Sequence, residues 1–155
     1  MSKAKPLAAK LPETTAAAPA AYALDEQIGF ILRQVSQRHA VIFAARIGGD
    51  LTSTQWAALA KLHELGPTSQ NQLGRMTAMD VATIKGVVDR LIKRGLIGTR
   101  PDPADARRRL VALTRSGRAL AEAQFADALA ISEMTLAPLS DAERKTFQKL
   151  LSKLK

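Results

Sequence analysis

Residues Asp102 to Gly117, with the sequence DPADARRRLVALTRSG, constrain the fold of this chain more than any other segment. The pattern predicts a strand, a tight basic tip with three consecutive arginines, and a second strand. It follows directly on LIKRGLIGTR, which ends at Arg100. A hairpin of this kind is a wing shaped to reach a phosphate backbone.

The residues before the wing predict two helices separated by a short break. One helix is expected from Ser69 to Met76, the break from Thr77 to Asp80, and a second helix from Val81 to Arg94. Helix, turn, helix and two-stranded wing in this order make a winged helix-turn-helix. We therefore predict a mainly α fold with a small β-wing, in which residues 51–115 form the DNA-binding domain and residues 68–115 bind duplex DNA.

The charge of the chain is concentrated in the same segment. The formal net charge is +9, and between Ser69 and Gly117 there are ten Lys and Arg residues against four Asp. A cationic surface is expected of a protein that binds a polyanion. Ribosomal and membrane-surface proteins are basic too, so the position of the charge is more informative than its sum.

Length and composition exclude several classes of protein. At 155 residues the chain is long enough for a domain with a sizeable core, and no apolar run approaches the roughly 20 residues that a bilayer requires. The absence of cysteine excludes disulfides, thiol redox switches and thiolate metal sites. Residues 1–21, rich in alanine, proline and lysine, are predicted to be a flexible arm and not a signal peptide. A soluble, cytoplasmic protein is expected by default.

Helical patterns on both sides of the winged segment predict a dimerisation region. Apolar residues recur at three- and four-residue steps from Asp25 to Ile47, the segment from Arg115 to Leu136 is alanine-rich and helical, and a Ser140-x-x-Glu143 capping box opens a last helix. Similar boxes at Thr52 and Ser69 open helices in the winged domain, the first ending near Gly66-Pro67. Because terminal helices cannot bury these stripes alone, residues 22–50 and 116–155 are expected to form an intertwined homodimer. The alternative is a helical cap within one chain.

Helical geometry divides the second helix of the motif into two faces. Val81, Ile84, Val88, Leu91 and Ile92 are expected to anchor it to the core. Asp80 is placed to cap its N-terminus. Ala82 and Gly86 leave the opposite face without bulk, so that the backbone can approach base edges. In the wing, Val111 and Leu113 are expected to pack inward, while Asp105 pairs with a nearby arginine.

These assignments define a candidate DNA-binding surface. Thr83 and Lys85 are predicted to read base edges, Arg90 to contact a phosphate, and Arg107 and Arg108 to meet phosphates or enter the minor groove. The full predicted set of DNA contacts is Ser69, Gln70, Ala82, Thr83, Lys85, Gly86, Arg90, Arg107 and Arg108. Ordinary solvated polar residues on a surface helix are the alternative interpretation of the same positions.

Two stretches of the chain resemble the MarR (multiple antibiotic resistance regulator) family of winged-helix transcription factors. They are LTSTQWAALAKL and TSQNQLGRMTAMDVATIKGVVDRLIKRGLIGTRPDPADARRRLVALTRSG, of which VVDRLIKRGLI and the wing with its Asp-x-Arg are the most specific parts. The similarity covers roughly residues 25–155. It implies an obligate homodimer of triangular outline whose two winged lobes bind a pseudo-palindrome. It also implies repression that is relieved when a small, often aromatic and anionic, ligand binds between the dimer region and the winged lobe.

The resemblance also bears on the ligand. Without cysteine the peroxide-sensing mechanism of some branches is excluded, and two histidines without cysteine make a zinc-sensing branch a poor fit. Neither a metal nor another cofactor is expected. The overall similarity is to regulators of aromatic and N-heterocyclic acid breakdown, such as nicotinate degradation. A small aromatic carboxylate or hydroxypyridine is the expected effector.

A pocket for such a ligand is predicted where the family places its cavity. His39 lies on the apolar stripe of the first helix, and His63 lies on the same face of the second helix as Trp56. Cations nearby could hold a carboxylate. The predicted ligand-binding residues are Arg38, His39, Arg46, Trp56 and His63. Each of them has a plainer interpretation as a core, interface or solvated residue.

Two other functions are alternatives to a ligand-responsive repressor. A sequence-tolerant architectural or nucleoid protein would also suit the small residues Ala82 and Gly86. An enzyme ranks last, because the sequence contains no Gly-rich phosphate loop, no nucleophile elbow, no cysteine nucleophile and no clustered carboxylates at helical or strand spacing.

Overall fold

A computed structural model describes residues 22–155, so the predicted arm of residues 1–21 lies outside the described residues. The chain divides into two compact units at Gln34/Val35. In the described part of the first unit, a short 3-10 turn spans Leu24–Glu26, and the Gln27 side-chain amide donates a hydrogen bond to the Ala23 carbonyl at 2.9 Å. The helix predicted from Asp25 therefore begins only after this turn, at Ile28.

The described residues form six α-helices and one two-stranded antiparallel sheet. The helices are α1 (Ile28–Arg46), α2 (Ser53–Leu65), α3 (Gln70–Met76), α4 (Val81–Lys93), α5 (Arg115–Leu136) and α6 (Asp141–Leu151), and the strands are β1 (Ile97–Asp102) and β2 (Asp105–Leu113). This order confirms the predicted helix-turn-helix and wing.

Side-chain caps explain where most of the helices begin. Thr52 opens α2 with the predicted reciprocal box, in which its hydroxyl accepts from the Gln55 N–H and the Gln55 side chain accepts from the Thr52 N–H. At α6 the predicted Ser140–Glu143 pair is present, with the Glu143 carboxylate accepting the Ser140 N–H at 2.8 Å and the Ser140 hydroxyl at 2.7 Å. At α3 the prediction was half right. The Ser69 hydroxyl accepts from the Gln72 N–H at 3.3 Å, but the Gln72 side chain lines a groove beside the wing and does not complete a box.

One hydrophobic core joins the winged domain to α5. Leu59 and Leu62 of α2, Leu73 of α3 and Ala121 of α5 are fully or almost fully buried, together with the inner face of α4. Trp56 and Leu120 pack against this cluster while remaining partly accessible. The core thus fixes the position of α4 relative to α2, α3 and α5.

The inner face of α4 differs from the predicted one at three positions. Ile84, Val87, Val88 and Leu91 are buried, at steps of three, one and three residues. Val87, which the prediction left out, completes this stripe. Val81 and Ile92 were wrongly assigned to the core, because they lie at the edge of the stripe and are 72% and 40% exposed.

The wing is extended further than the sequence suggested. β1 pairs with β2 from Ile97 opposite Leu113 to Pro101 opposite Arg109, and a bulge follows at Asp102. The three arginines Arg107, Arg108 and Arg109 lie on β2 itself, since only Pro103 and Ala104 form the turn. The prediction that the arginines sit at the tip was therefore wrong by a few residues. Val111 is buried and Leu113 packs against the core, as predicted.

Thr68 joins the wing to the helix-turn-helix. Its N–H donates to the Val111 carbonyl at 3.1 Å, and the Val111 N–H donates to the Thr68 carbonyl at 2.8 Å. This isolated bridge adds one residue pair to the sheet just before α3 begins. The wing is therefore hydrogen-bonded to the segment that leads into α3.

Many large apolar side chains remain exposed on α1, α5 and α6. The predicted stripe of α1 is mostly accessible, with only Phe43 buried. The exposed set on these helices is Ile28, Ile31, Leu32, Val35, Val41, Leu129, Met134, Phe147, Leu150 and Leu151, followed by Leu154.

Within residues 22–155, no helix has the length and apolar character needed to cross a membrane.

Candidate nucleic-acid interface and cavity

The N-terminus of α4 is held by a tight cap. One oxygen of the Asp80 carboxylate accepts the Thr83 N–H at 2.8 Å, and the other accepts the Thr83 hydroxyl at 2.9 Å. These hydrogen bonds, the one from the backbone N–H first, hold the pKa of Asp80 below its usual value. The predicted capping role of Asp80 is confirmed. Thr83, a predicted base-reading residue, uses its only hydroxyl proton inside the cap.

The outer face of α4 carries polar side chains that interact with each other. The Lys85 ammonium lies 2.9 Å from an Asp89 carboxylate oxygen, one turn further along the helix. The Arg90 guanidinium lies over Gly86, with its nitrogens 3.5 and 3.6 Å from the position that a Cβ would take. The space that was expected to admit DNA is therefore filled by Arg90. Ala82 is exposed, as predicted.

The cations of the wing differ in how firmly they are held. The Arg109 guanidinium donates to the Thr99 hydroxyl at 2.8 Å, and Arg108 lies 3.9 Å from the Asp102 carboxylate. Among the described residues, the Arg107 guanidinium has no hydrogen-bond acceptor or carboxylate partner. Asp105 was expected to pair with an arginine side chain, but its carboxylate accepts the backbone N–H of Arg107 at 3.0 Å. Asp102 makes the wing's ion pair instead.

Two further predicted contacts lie at the start of α3. Ser69 is its N-cap residue and Gln70 is its first residue, and both are partly accessible. Ser69 and Arg108 line the same groove between α3 and the wing. This part of the predicted surface is therefore spatially continuous with the wing.

A separate cavity of about 210 Å³ lies between α1, α2 and α5. Its lining residues are His39, Phe43, Ser53, Trp56, Ala128, Ile131 and Ser132. The walls combine two aromatic rings and an imidazole with two hydroxyl groups. Mostly apolar walls with a few polar groups are typical of sites for small organic ligands.

The hydrogen-bonding role of His39 Nδ1 follows from its neighbours. The Thr135 hydroxyl donates its single proton to the Ile131 carbonyl at 2.8 Å. The contact of 2.9 Å between His39 Nδ1 and Thr135 Oγ1 therefore requires Nδ1 to be the donor. In the neutral imidazole this leaves Nε2 as a hydrogen-bond acceptor.

Three of the five predicted ligand-binding residues lie outside the lining of this cavity. Arg38 donates to the carbonyls of Thr135 and Met134, at 2.5 and 2.9 Å, near the C-terminal end of α5. Arg46 lies 3.6 Å from an Asp127 carboxylate oxygen.

The third of these residues, His63, belongs to a contact between α2 and α5. Its Nε2 lies 2.9 Å from a Glu122 carboxylate oxygen. Its ring meets Phe125 edge-on with centroids 4.9 Å apart, and Phe125 in turn meets Trp56 at 6.0 Å. His63 therefore contacts Phe125, and neither residue lines the cavity. Of the five predicted ligand-binding residues, only His39 and Trp56 line this cavity.

The cavity wall that α5 provides was not predicted from the sequence. Ala128, Ile131 and Ser132 recur at three- and one-residue steps on one face of that helix. The period was visible, but small residues in an alanine-rich helix do not distinguish a cavity wall from an ordinary packing face. Within the described part of the chain, no group of three or more His, Asp or Glu side chains is placed to hold a metal ion.

The fold and the cationic surface define a winged helix-turn-helix DNA-binding protein with a small-molecule cavity beside its DNA-binding domain. The sequence profile of the MarR family matches residues 51–108. The HTH-type transcriptional repressor NicR of Pseudomonas putida is 42% identical over 134 residues, which cover 86% of this chain and 85% of that protein. The chain therefore belongs to the MarR family of transcription regulators and is not an enzyme.

Solved structures agree with this assignment. A probable transcriptional regulator from Pseudomonas aeruginosa is 59% identical with a TM-score of 0.83, over 86% of this chain and 100% of that one. BpsR of Bordetella bronchiseptica, whose DNA binding is regulated by 6-hydroxynicotinic acid, is 40% identical with a TM-score of 0.83, over 87% and 97%.

Proposed function

We propose that this protein is a repressor that binds a pseudo-palindromic operator as a homodimer and leaves it when a hydroxylated N-heterocyclic aromatic acid binds. The effector assignment places it in the branch that controls nicotinate-type degradation. One observation carries the proposal. A cavity lined by His39 and Trp56 lies beside the DNA-binding domain of a chain that is 40% identical to a regulator controlled by 6-hydroxynicotinic acid.

The proposed DNA contacts come from α3, α4 and the wing of each protomer. Recognition helices of this class enter the major groove with their N-terminal residues, and two-fold related helices fit half-sites one turn of duplex apart. Arg107 and Arg108 supply cations for the phosphate backbone or the minor groove. DNA binding by a regulator of this kind takes place in the cytoplasm, which we propose as its location.

The exposed apolar side chains support the proposed dimer. Leu129 of α5 is 70% exposed in the single chain, and Leu154, which follows the end of α6, is 75% exposed. Covering such surface with a second copy is favourable by roughly 25 cal/mol per Å². We propose that residues 22–50 and 116–155 form this dimerisation region.

The chemistry of the cavity selects among aromatic acids. A volume of about 210 Å³ lies below the roughly 300–1,000 Å³ of sites for drug-sized ligands, so it suits a single-ring compound. Neutral His39 offers a hydrogen-bond acceptor at Nε2, which suits a ring hydroxyl or pyridone N–H. Ser53 offers a hydroxyl donor for the carboxylate, whereas the Ser132 hydroxyl donates to the Ala128 carbonyl at 3.4 Å.

A thermal-shift comparison of 6-hydroxynicotinic acid with nicotinic acid tests this proposal. A ligand that binds only the folded state raises the apparent melting temperature by mass action, so 6-hydroxynicotinic acid is expected to give the larger shift. In His39→Ala this advantage over nicotinic acid is expected to disappear, because the acceptor for the hydroxyl is gone.

The second histidine gives a matched control. His63→Ala removes an imidazole that contacts Phe125 and lies outside the cavity lining, so the preference for the hydroxylated acid should persist. Equal shifts for both acids in the wild-type protein would contradict the effector assignment. A preference that survives in His39→Ala and vanishes in His63→Ala would move the site to the predicted residues beside α5.

A further inference from the structure

Val81 is an exposed apolar residue at the first position of α4. Its side chain is 72% exposed, although a valine at this position of the sequence pattern was expected to reach the core. Valine is a weaker helix former than alanine by a few tenths of a kcal/mol, so helix propensity gives no reason for it here. Ala82, the next residue, is exposed as well.

The polar groups around this position are already engaged. The Thr83 hydroxyl donates to Asp80, Lys85 pairs with Asp89, and Arg90 lies over Gly86. The ion pair between Lys85 and Asp89 is solvent-exposed, and breaking it costs little free energy. Lys85 is therefore available to contact a phosphate. The Thr83 hydroxyl proton is different, because losing it from Asp80 would weaken the cap of the helix. At the N-terminal turn of α4, the exposed surface that is not engaged in such polar contacts is therefore apolar.

We propose that Val81, assisted by Ala82, reads the operator through the C5-methyl group of thymine. This inference rests on the proposed function, in which the N-terminal turn of α4 enters the major groove. Thymine is the one base that presents an apolar group there, and the other base edges present donors and acceptors. A valine against those edges would leave polar groups without partners, so it also discriminates against the other bases.

Uracil substitution tests the inference directly, since replacing dT by dU removes only the methyl group. A duplex is first selected from a random-sequence pool with the full-length wild-type protein, and each thymine in its half-sites is then replaced by uracil in turn. We expect one thymine per half-site at which the wild-type protein loses about fourfold in affinity, the effect of one buried methyl group. Val81→Ala removes this contact in both half-sites, so it should bind the unmodified duplex about sixteenfold more weakly and should be insensitive to uracil at that thymine.

Ile92→Ala is the matched control, because it truncates another exposed apolar residue of α4 that lies near the opposite end of the helix. It should retain the wild-type sensitivity to uracil. Both variants are checked for folding by thermal unfolding, in which Val81→Ala is expected to equal or exceed the wild type because alanine is the better helix former.

The possible outcomes separate this inference from the function on which it depends. If the wild-type protein selects a duplex but tolerates uracil at every thymine, the methyl contact is wrong and the DNA-binding function stands. The same holds if Val81→Ala stays as sensitive as the wild type. If no duplex is enriched from the pool, sequence-specific binding fails and the inference fails with it.

Discussion

Gly117 shows how a single residue can decide the packing of a helix. A Cβ at this position would lie 1.8 Å from the Leu96 carbonyl oxygen and 2.8 Å from its carbon. Both obstacles are backbone atoms, and the Leu96 carbonyl also accepts the Thr114 N–H at 3.1 Å. No rotamer change can relieve such a clash, so α5 can approach the start of the wing only with glycine here.

Gly117→Ala is therefore expected to be severely destabilising. The added methyl group forces α5 away from β1, and overpacking of this kind costs about 3 kcal/mol or more in the free energy of unfolding. Urea unfolding at one fixed protein concentration measures the loss. Gly98→Ala is the control, because a Cβ there has no neighbour within 4 Å, and it should change stability by less than about 1 kcal/mol. Similar losses for the two variants would contradict the steric account.

At the scale of the elements, the cap of α4 links pH to stability. The pKa of Asp80 is lowered in the folded protein by the hydrogen bonds from Thr83. A carboxylate with a lowered folded-state pKa stabilises the fold above its unfolded-state pKa, and this contribution is lost as the pH falls through the folded-state value. The affected range therefore begins near 3.8, the usual pKa of an aspartate side chain, and extends below it.

Asp80→Asn tests this linkage, since asparagine caps helices well without a charge. Urea unfolding across the pH range from about 6 to 2.5 should show the wild type losing its advantage over Asp80→Asn as the carboxylate is protonated. A difference between the two proteins that is constant across this range would show that ionisation of Asp80 does not contribute to stability.

The wing makes a separate prediction about the salt dependence of DNA binding. Each phosphate contact contributes about 0.9 to the slope of log affinity against log salt concentration, so loss of one contact in each of two protomers lowers the slope by about 1.8. Arg107→Ala should show this change, because within residues 22–155 its guanidinium has no other partner. Arg109→Ala should show less, since Arg109 is held by Thr99 at 2.8 Å. An unchanged slope in Arg107→Ala would remove that arginine from the phosphate contacts.

The positions at which helices begin were easier to predict from the sequence than the residues that face the core. Helix starts at Thr52, Asp80 and Ser140 are local signals, and the structure contains each of these caps. Whether Val81 and Val87 face the core depends on the docking of α4 against three other elements, which periodicity does not encode. The cavity depends on contacts between α1 and α5, more than 90 residues apart, such as Arg38 and His39 with Thr135.

For the whole molecule, the proposed function requires a dimer of two chains. A single chain leaves Leu150 54% exposed on α6, next to other apolar residues of the proposed dimerisation region. Leu150→Glu places a charge in that interface and should yield monomers in sedimentation at micromolar concentration, with loss of tight operator binding. Met76→Glu alters an exposed apolar residue of α3 and should leave the dimer intact. A dimer that persists in Leu150→Glu would place the interface elsewhere.

An anisotropy titration of a selected duplex, with and without 6-hydroxynicotinic acid, shows whether DNA binding is both sequence-specific and ligand-responsive. A scrambled duplex at the same salt concentration serves as the reference for non-specific binding. We expect 6-hydroxynicotinic acid, at a concentration that saturates the thermal shift of the protein, to raise the Kd for the selected duplex at least about fivefold. This factor is the lower end of typical coupling between two sites. An unchanged Kd at that concentration, or equal affinity for the scrambled duplex, would contradict a ligand-responsive, sequence-specific regulator.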